Sequence, residues 1–274
     1  MNAGLIQRVS SLEQNELEPY RTLKRPMAHA RLGIFVAEGE KVVCRLLDSG
    51  LEVKSLLLTP NWLARLQSAG HLEGREDVTV FLAEEGLLRE IVGFNIHQGI
   101  MAVAKAPAEG SPDDLPASHL LVALDGLRTS ENVGVIVRNC AAFGVNAILV
   151  GETSCSPYLR RAVRNSMGAV FKIPVIHVTS LAESLGRLRC RFQTRIVVAD
   201  PRGASTIHGV VLTGNVCIVL GNEDTGVSAE VAGLATERAA IPMHNQTDSL
   251  NVASAGGVFL YEAHRQRAAA GGQA

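Results

Sequence analysis

Val216–Glu262 begins VCIVLGNEDTGV at Val216, continues through a short amphipathic piece, and ends AAIPMHNQTDSLNVASAGGVFLYE from Ala239. Val216–Leu220 is an unbroken β-branched and aliphatic run, which predicts a buried strand. It stops at Gly221, and a polar turn with a second glycine, Gly226, follows. Ser228 is placed to cap a short helix carrying Val231, Ala232 and Leu234. Ala239–Ile241 reads as a further strand, ended by Pro242. A polar loop from His244 to Asp248 leads into Leu250–Tyr261, a helix with small residues along it. Two strand ends thus open into polar loops, which in an open parallel sheet is where ligands bind.

A phosphate-gripping loop needs Gly-x4-Gly-Lys-Ser/Thr; Gly221 and Gly226 have that spacing, but Val227 stands where the lysine belongs. A dinucleotide fingerprint, Gly-x-Gly-x-x-Gly, is absent. What remains is either a pair of ordinary strand-to-helix turns or loops whose backbone amides and carbonyls meet a ligand. The second suits an adenine edge and a small zwitterion better than a triphosphate.

GNEDTG, then Ile241-Pro242-Met243, a polar loop and Ser249-Leu250-Asn251-Val252, resembles the SpoU/TrmH branch of the SPOUT RNA methyltransferases. The final motifs of that family read roughly Gly-x-Glu-x-x-Gly, Ile-Pro-Met and Ser-Leu-Asn-Val. The resemblance implies an α/β fold with a parallel sheet and a C-terminal trefoil knot that binds S-adenosylmethionine. Composition and periodicity do not show a knot, and threaded chains are rare.

The chain has 274 residues, 47% hydrophobic and 19% charged, which gives a globular protein of one large domain or two small ones. No apolar run approaches the ~20 residues that span a bilayer, and the N-terminus has no signal-peptide pattern. Cys44, Cys140, Cys155, Cys190 and Cys217 are scattered without metal-ligand spacing and read as buried reduced thiols. A cytoplasmic protein without metal is expected. The net charge of −1 gives no global nucleic-acid signature, so basic residues would have to be concentrated locally.

Residues 1–18 read as a helix with Leu5, Ile6, Val9, Leu12 and Leu17 roughly on one face. Arg21, Lys24, Arg25, His29 and Arg31 follow with no acid among them, either a phosphate-contacting patch or a solvated charge run. That lead-in and Phe35-x-x-Glu38-Gly39-x-Lys41 also resemble the N-terminal substrate domain on many members of the same family. That domain is similar to ribosomal protein L30e and is implied to grip RNA. Strands are expected at Val53–Leu58, Val78–Leu82 and Ile100–Ala104, and helices at Trp62–Ala69 and Glu84–Val92. This gives an L30e-like domain over 1–105, a linker rich in proline and small polar residues over 106–118, and a catalytic domain over 119–274.

The second domain opens with a buried strand, His119–Leu124, and a polar loop, Asp125–Ser130, with Ser130 a candidate cap. Glu131–Phe143 is then a helix. Asn132 and Arg138 on it are about one and two-thirds turns apart, so a straight helix sets them on different bearings unless Gly134 allows an irregular turn. Arg138 reads as a charge beside a core, in a structural salt bridge or a functional role. Ala147–Val150 is a strand and Pro157–Gly168 a helix on which Arg160, Arg161 and Arg164 cluster. Their like charges repel unless a polyanion or an acid sits opposite. Ile196–Ala199 is one more strand, and the strand–helix alternation gives a parallel α/β sheet.

The resemblance implies roles. Asn132, Gly134 and Arg138 match the first motif of the family, although Ser130-Glu131 replaces its usual Asp-Pro. Arg138 is implied at the proton-transfer step; a guanidinium stays protonated, so gripping a phosphate and stabilising an alkoxide is the alternative. Glu223 would orient it or accept hydrogen bonds at the cofactor loop, and Ser249 and Asn251 would position a ribose. Leu220, Gly221, Ile241, Met243 and Leu250 would hold S-adenosylmethionine. Arg21, Lys24, Arg25, Arg31, Arg160, Arg161 and Arg164 are the RNA-binding candidates. The implied activity is methyl transfer to a ribose 2′-hydroxyl, with ribosomal RNA favoured over transfer RNA. One rival is a non-catalytic RNA-binding or ribosome-assembly protein; a second is an RNA methyltransferase acting on a base, against which the resemblance at Asn132, Arg138 and Ser249-Leu250-Asn251 speaks. The implied assembly is a homodimer through the knotted domain, with Ala253, Ala255, Gly256 and Gly257 allowing close helix approach.

Overall fold

Val216–Gly221, buried at every position, pairs in parallel with a strand on each side. Such burial of a strand is the mark of a sheet covered on both faces. The computed structural model describes residues 5–11, 13–23, 25–92, 99–245 and 247–271. In chain order the elements to residue 105 are β1 (Ile6–Arg8), α1 (Glu18–Arg21), α2 (Pro26–Arg31), β2 (Ile34–Glu38), α3 (Glu40–Leu47), β3 (Val53–Leu58), α4 (Pro60–Ser68), β4 (Thr79–Leu82), α5 (Glu85–Val92) and β5 (Ile100–Lys105). Then come β6 (Leu120–Asp125), α6 (Ser130–Ala142), β7 (Ala147–Val150), α7 (Arg160–Asn165), β8 (Val175–His177), α8 (Leu181–Phe192), β9 (Arg195–Ala199), β10 (Ser205–Thr206), β11 (Val216–Gly221), α9 (Ala229–Ala232), β12 (Glu237–Ala240) and α10 (Val252–Ala269). The chain packs as two units. One runs to Ala108 and takes in Tyr158–Phe171; the other comprises Glu109–Pro157 and the chain from Lys172.

Among the described residues, the first unit has a mixed sheet in the order β1-β4-β3-β5-β2, with β4 parallel to β1 and β3, and β5 antiparallel to β3 and β2. The helix expected over 1–18 is not what forms. Ile6–Arg8 pairs with Val80–Leu82, Leu5 and Ile6 are exposed, and Val9 and Leu17 enter a core with Tyr20, Phe81 and Leu88. The ladder satisfies this backbone where the apolar spacing alone favoured a helix; residues 1–4 and Leu12 lie outside the described residues. The helix expected over Pro157–Gly168 is also shorter. It ends as α7 at Asn165, and Met167 adopts φ 55°. Arg45 Nη1 donates to the Met167 carbonyl. The acid opposite the arginines is Glu38, 5% exposed. It bonds Arg160 Nη1, and its Oε1 is 3.5 Å from Arg164 Nη1.

The second unit holds, among the described residues, a sheet in the order β10-β12-β9-β11-β6-β7-β8, with every pairing parallel, as expected for this half. Its core joins Leu121, Leu149, Val198 and Val219 to Leu185 and Leu188 of α8, a helix the sequence reading passed over. Ser180 caps α8, accepting from Glu183 N at 3.2 Å. Thr129, not Ser130, stands at the N-cap of α6, and Ser228 stands at the N-cap of α9 as expected but makes no side-chain cap bond.

Helix α10 begins at Val252 and continues past Tyr261 to Ala269. Its small residues are turned inward. A Cβ on Gly256 would lie 2.9 Å from Leu220 Cδ1, and one on Gly257 3.2 Å from Asn139 Nδ2. That stripe therefore serves packing within the chain, and Val258 and Tyr261 are on the exposed face, as is Val135 of α6. Cys140 and Cys217 are buried, Cys44 and Cys155 half-buried, and Cys190 is exposed, contrary to expectation. Among the described residues no helix is long and apolar enough to cross a membrane, and no group of His, Cys, Asp or Glu could hold a metal ion.

The Glu38 cluster gives a stability prediction. Glu38→Ala removes charge-assisted bonds from a buried carboxylate and is expected to destabilise the first unit by about 2 kcal/mol. Urea unfolding should show a lower midpoint at unchanged slope; an unchanged midpoint would show that the pair contributes nothing.

Candidate active site

The site is built where β6 and β11 leave the sheet. In their ladder Asp125 stands opposite Gly221. Gly221 has no room for a side chain, since an added Cβ would lie 2.4 Å from Val227 N. The backbones of Asn222 and Gly226 then exchange two hydrogen bonds of 3.0 Å, and Gly226 takes φ 75°, a conformation open to glycine. This tight turn presents Glu223 at the mouth of the loop.

Glu223, Asn132 and Asn251 form one hydrogen-bonded chain. Asn132 Nδ2 donates to Glu223 Oε1 at 2.9 Å, and Asn251 Nδ2 donates to Asn132 Oδ1 at 3.0 Å. Asn251 Oδ1 in turn accepts from Ala253 N at 2.9 Å and Ser254 N at 3.3 Å, capping α10. Both amide orientations follow from these partners, because the helix N–H groups fix the oxygen of Asn251. Each asparagine keeps one Nδ2–H free of this chain.

Burial pushes the Glu223 carboxyl up. Hydrogen bonds from Asn132, from its own backbone N–H, from the Thr129 side chain and from the Arg128 backbone outweigh it and hold the group below the usual carboxylate range. Glu223 is therefore ionised at neutral pH and works as an acceptor. Its ionisation favours the folded loop above the ordinary carboxylate range, and that contribution is lost as pH falls through the lowered folded value.

Other expected residues are placed as follows. Arg138 is exposed on α6, which runs as a regular helix through Gly134 with no irregular turn. Among the described residues it makes no hydrogen bond or ion pair, so it does not join the chain from Glu223 to Asn251. Ser249 is exposed and likewise makes no hydrogen bond. Leu220 and Gly221 are buried, Ile241 and Met243 half-buried, and Leu250 is 38% exposed. In the first unit Arg25 and Arg31 are exposed, Arg21 is half-buried, and Lys24 lies outside the described residues. His29 is buried, its Nε2 within bonding distance of Thr22 Oγ1 and the Pro19 carbonyl, so it serves the fold. Arg160 and Arg164 face Glu38, and Arg161 is exposed. The sequence reading missed Arg128 and Thr129, whose place beside Glu223 depends on the β6–β11 register.

Residues 119–261, which contain this whole arrangement, match the model of the SpoU rRNA Methylase family. The chain belongs to that family. It is 30% identical over 269 residues to an uncharacterized tRNA/rRNA methyltransferase of Mycobacterium bovis, covering 95% of this chain and 92% of the relative. It is 32% identical over 211 residues to the 23S rRNA (guanosine-2′-O-)-methyltransferase RlmB of Acinetobacter baylyi, covering 74% of this chain and 85% of that protein. Among solved structures it resembles the AdoMet-bound rRNA methyltransferase of Sinorhizobium meliloti, with a TM-score of 0.83 and 27% identity over 96% of this chain and 98% of the other.

Removing the amide that holds Glu223 should be visible without any substrate. In Asn132→Ala the burial of Glu223 loses its main opposing hydrogen bond, so the carboxyl should titrate at higher pH, read from its side-chain carbon resonance. An unmoved titration would contradict the hydrogen-bond chain.

Proposed function

We propose that this protein is an RNA 2′-O-ribose methyltransferase that uses S-adenosylmethionine and acts on ribosomal RNA. The observation that carries the reading is the Glu223–Asn132–Asn251 chain, set beside the β11 loop in a SpoU family member. The names of the relatives support RNA as substrate and favour ribosomal over transfer RNA. The first unit, with Arg21, Lys24, Arg25, Arg31 and the arginines of α7, is assigned to gripping the RNA. Of the α7 group Arg161 and Arg164 are exposed, whereas Arg160 is half-buried; Arg160 and Arg164 both face Glu38. The trefoil threading implied for the second unit belongs to the same proposal.

The residues at the ends of β11 and β12 fit an adenosyl group. The bare backbone at Gly221 leaves amide and carbonyl groups for an adenine edge, and Ile241, Met243 and Leu250 add apolar surface. Bound S-adenosylmethionine supplies a methyl group on a positively charged sulfur, already activated for in-line displacement. The free Nδ2–H groups of Asn132 and Asn251 hold the ribose, and Ser249 adds a hydroxyl, so that the acceptor oxygen is oriented. As the acceptor oxygen takes the methyl group from sulfur, its proton passes to solvent, and the guanidinium of Arg138 grips the adjoining phosphate and stabilises the developing alkoxide.

A homodimer through the second unit is part of this reading. The inward-facing small residues do not support it, but the exposed Val135, Val258 and Tyr261 on α6 and α10 do, with the unpartnered Arg138 on the same α6. Light scattering at micromolar concentration should give twice the chain mass, and a clean monomer would contradict it.

The activity is tested by calorimetry with S-adenosylmethionine and by mapping 2′-O-methyl sites in total RNA incubated with the protein. Binding together with new ribose methylation is expected; a folded protein that binds RNA but no S-adenosylmethionine would favour the non-catalytic rival. Arg138→Ala should bind S-adenosylmethionine and be nearly inactive. Arg138→Lys should keep part of the rate with weaker RNA binding and an unshifted pH profile. A lysine variant with normal RNA affinity and a rate climbing steeply with pH would instead make position 138 a base.

A further inference from the structure

The loop between Gly221 and Ser228 is tied at its start to the loop that follows β6 and at its end to the last residue of β6. At its start Asn222 Nδ2 donates to the Gly126 carbonyl at 2.7 Å. At its end Ser228 N donates to Asp125 Oδ2, also at 2.7 Å. Asp125 is buried, and the ladder sets it opposite Gly221. The other end of the Asn222 amide is also engaged: Oδ1 accepts from Asp224 N at 2.9 Å, Thr225 N at 3.0 Å and Thr225 Oγ1 at 3.2 Å. One side chain thus closes its own turn and holds that turn to the neighbouring loop.

We propose that Asn222 is a positioning residue of the methyl-transfer site, with the Asp125–Ser228 bond as its counterpart at the far end of the loop; this rests on the methyltransferase reading above. Glu223 follows Asn222 directly and is exposed. The groups that bond its carboxylate from outside its own residue, Asn132, Thr129 and the Arg128 backbone, all lie on the segment that follows β6, so they fix it only if the backbone bearing Glu223 is itself fixed against that segment. The backbone that bears it has to be held first. The Asn222–Gly126 bond does this directly, because Gly126 lies in the loop that also carries Arg128 and Thr129 to Glu223 and leads into α6, where Asn132 sits.

Two variants separate the tie from the turn. Asn222→Ala removes both. Asn222→Ser keeps an oxygen able to close the turn but is too short and lacks the amide to reach Gly126. Single-turnover methyl transfer at saturating RNA and S-adenosylmethionine, together with the Glu223 titration and the melting temperature, are the readouts. Both variants are expected to lose the rate equally, by about tenfold or more, with melting within about 2 °C of wild type. In Asn222→Ala the Glu223 titration should move up as in Asn132→Ala, and adding Asn222→Ala to Asn132→Ala should cost no further rate. Asp125→Asn, whose carbonyl still accepts from Ser228 N, should retain more rate than Asp125→Ala. An Asn222→Ser variant at wild-type rate would overturn the proposal by showing that the turn alone matters. So would a slow Asn222→Ala with Glu223 titrating as in wild type. A wild type that methylates no RNA would defeat the methyltransferase reading, and the titration would still decide whether Asn222 positions Glu223.

Discussion

The parallel ladder between Leu120–Asp125 and Val216–Gly221 sets Asp125 opposite Gly221, so two polar loops leave the sheet side by side at the same edge. Everything at the site depends on that register. A slip by one residue would carry the side chains of the slipped strand to the opposite buried face and break the packing on both, so the core enforces it. Residues 91 to 103 apart in sequence, Gly126 and Asn222 among them, become neighbours without any covalent link.

On that base a chain of amides converts helix-end polarity into the placement of one carboxylate. The first turn of α10 leaves N–H groups without partners in the helix, and Asn251 answers two of them with its oxygen. That choice points its Nδ2 at Asn132, whose own Nδ2 then points at Glu223. Each bond is worth only about 1 kcal/mol net, and more where a charge takes part. Their value here is geometric: three segments distant in sequence are held so that two donors and one ionised carboxylate converge. The resemblance implied Asn251 as a residue that positions ribose; the structure adds that half of its amide is committed to the helix.

Much of this was legible in the residues. The aliphatic run at Val216, the glycines that stop it and the alternation of elements after His119 gave the parallel α/β unit, because buried parallel strands have few other readings. The N-terminal stretch failed for the opposite reason. Leu5, Ile6, Val9 and Leu17 fit a helical spacing, but Ile6–Arg8 found a ladder partner in β4 some seventy positions on, a contact that no local pattern records. Helix α7 was overextended because a run of helix-forming residues gives no sign that Met167 will take a left-handed conformation. At the site, the motifs named Asn132, Glu223 and Asn251, whereas Asp125 and Asn222 carry no chemistry in isolation. Their part appears only when register brings Gly126 and Ser228 within reach. The arginines of α7 read as a phosphate cluster because Glu38, the acid they face, lies more than a hundred residues earlier.

The central claim is that Asn251 and Asn132 act as one unit on the transfer step. Single-turnover methyl transfer from labelled S-adenosylmethionine to RNA, measured for Asn132→Ala, Asn251→Ala and the double variant, tests it most directly. The account predicts that the double variant is no slower than the slower single one, which is a coupling on the order of 1 kcal/mol or more. Rate losses that multiply, as for two independent residues, would contradict it.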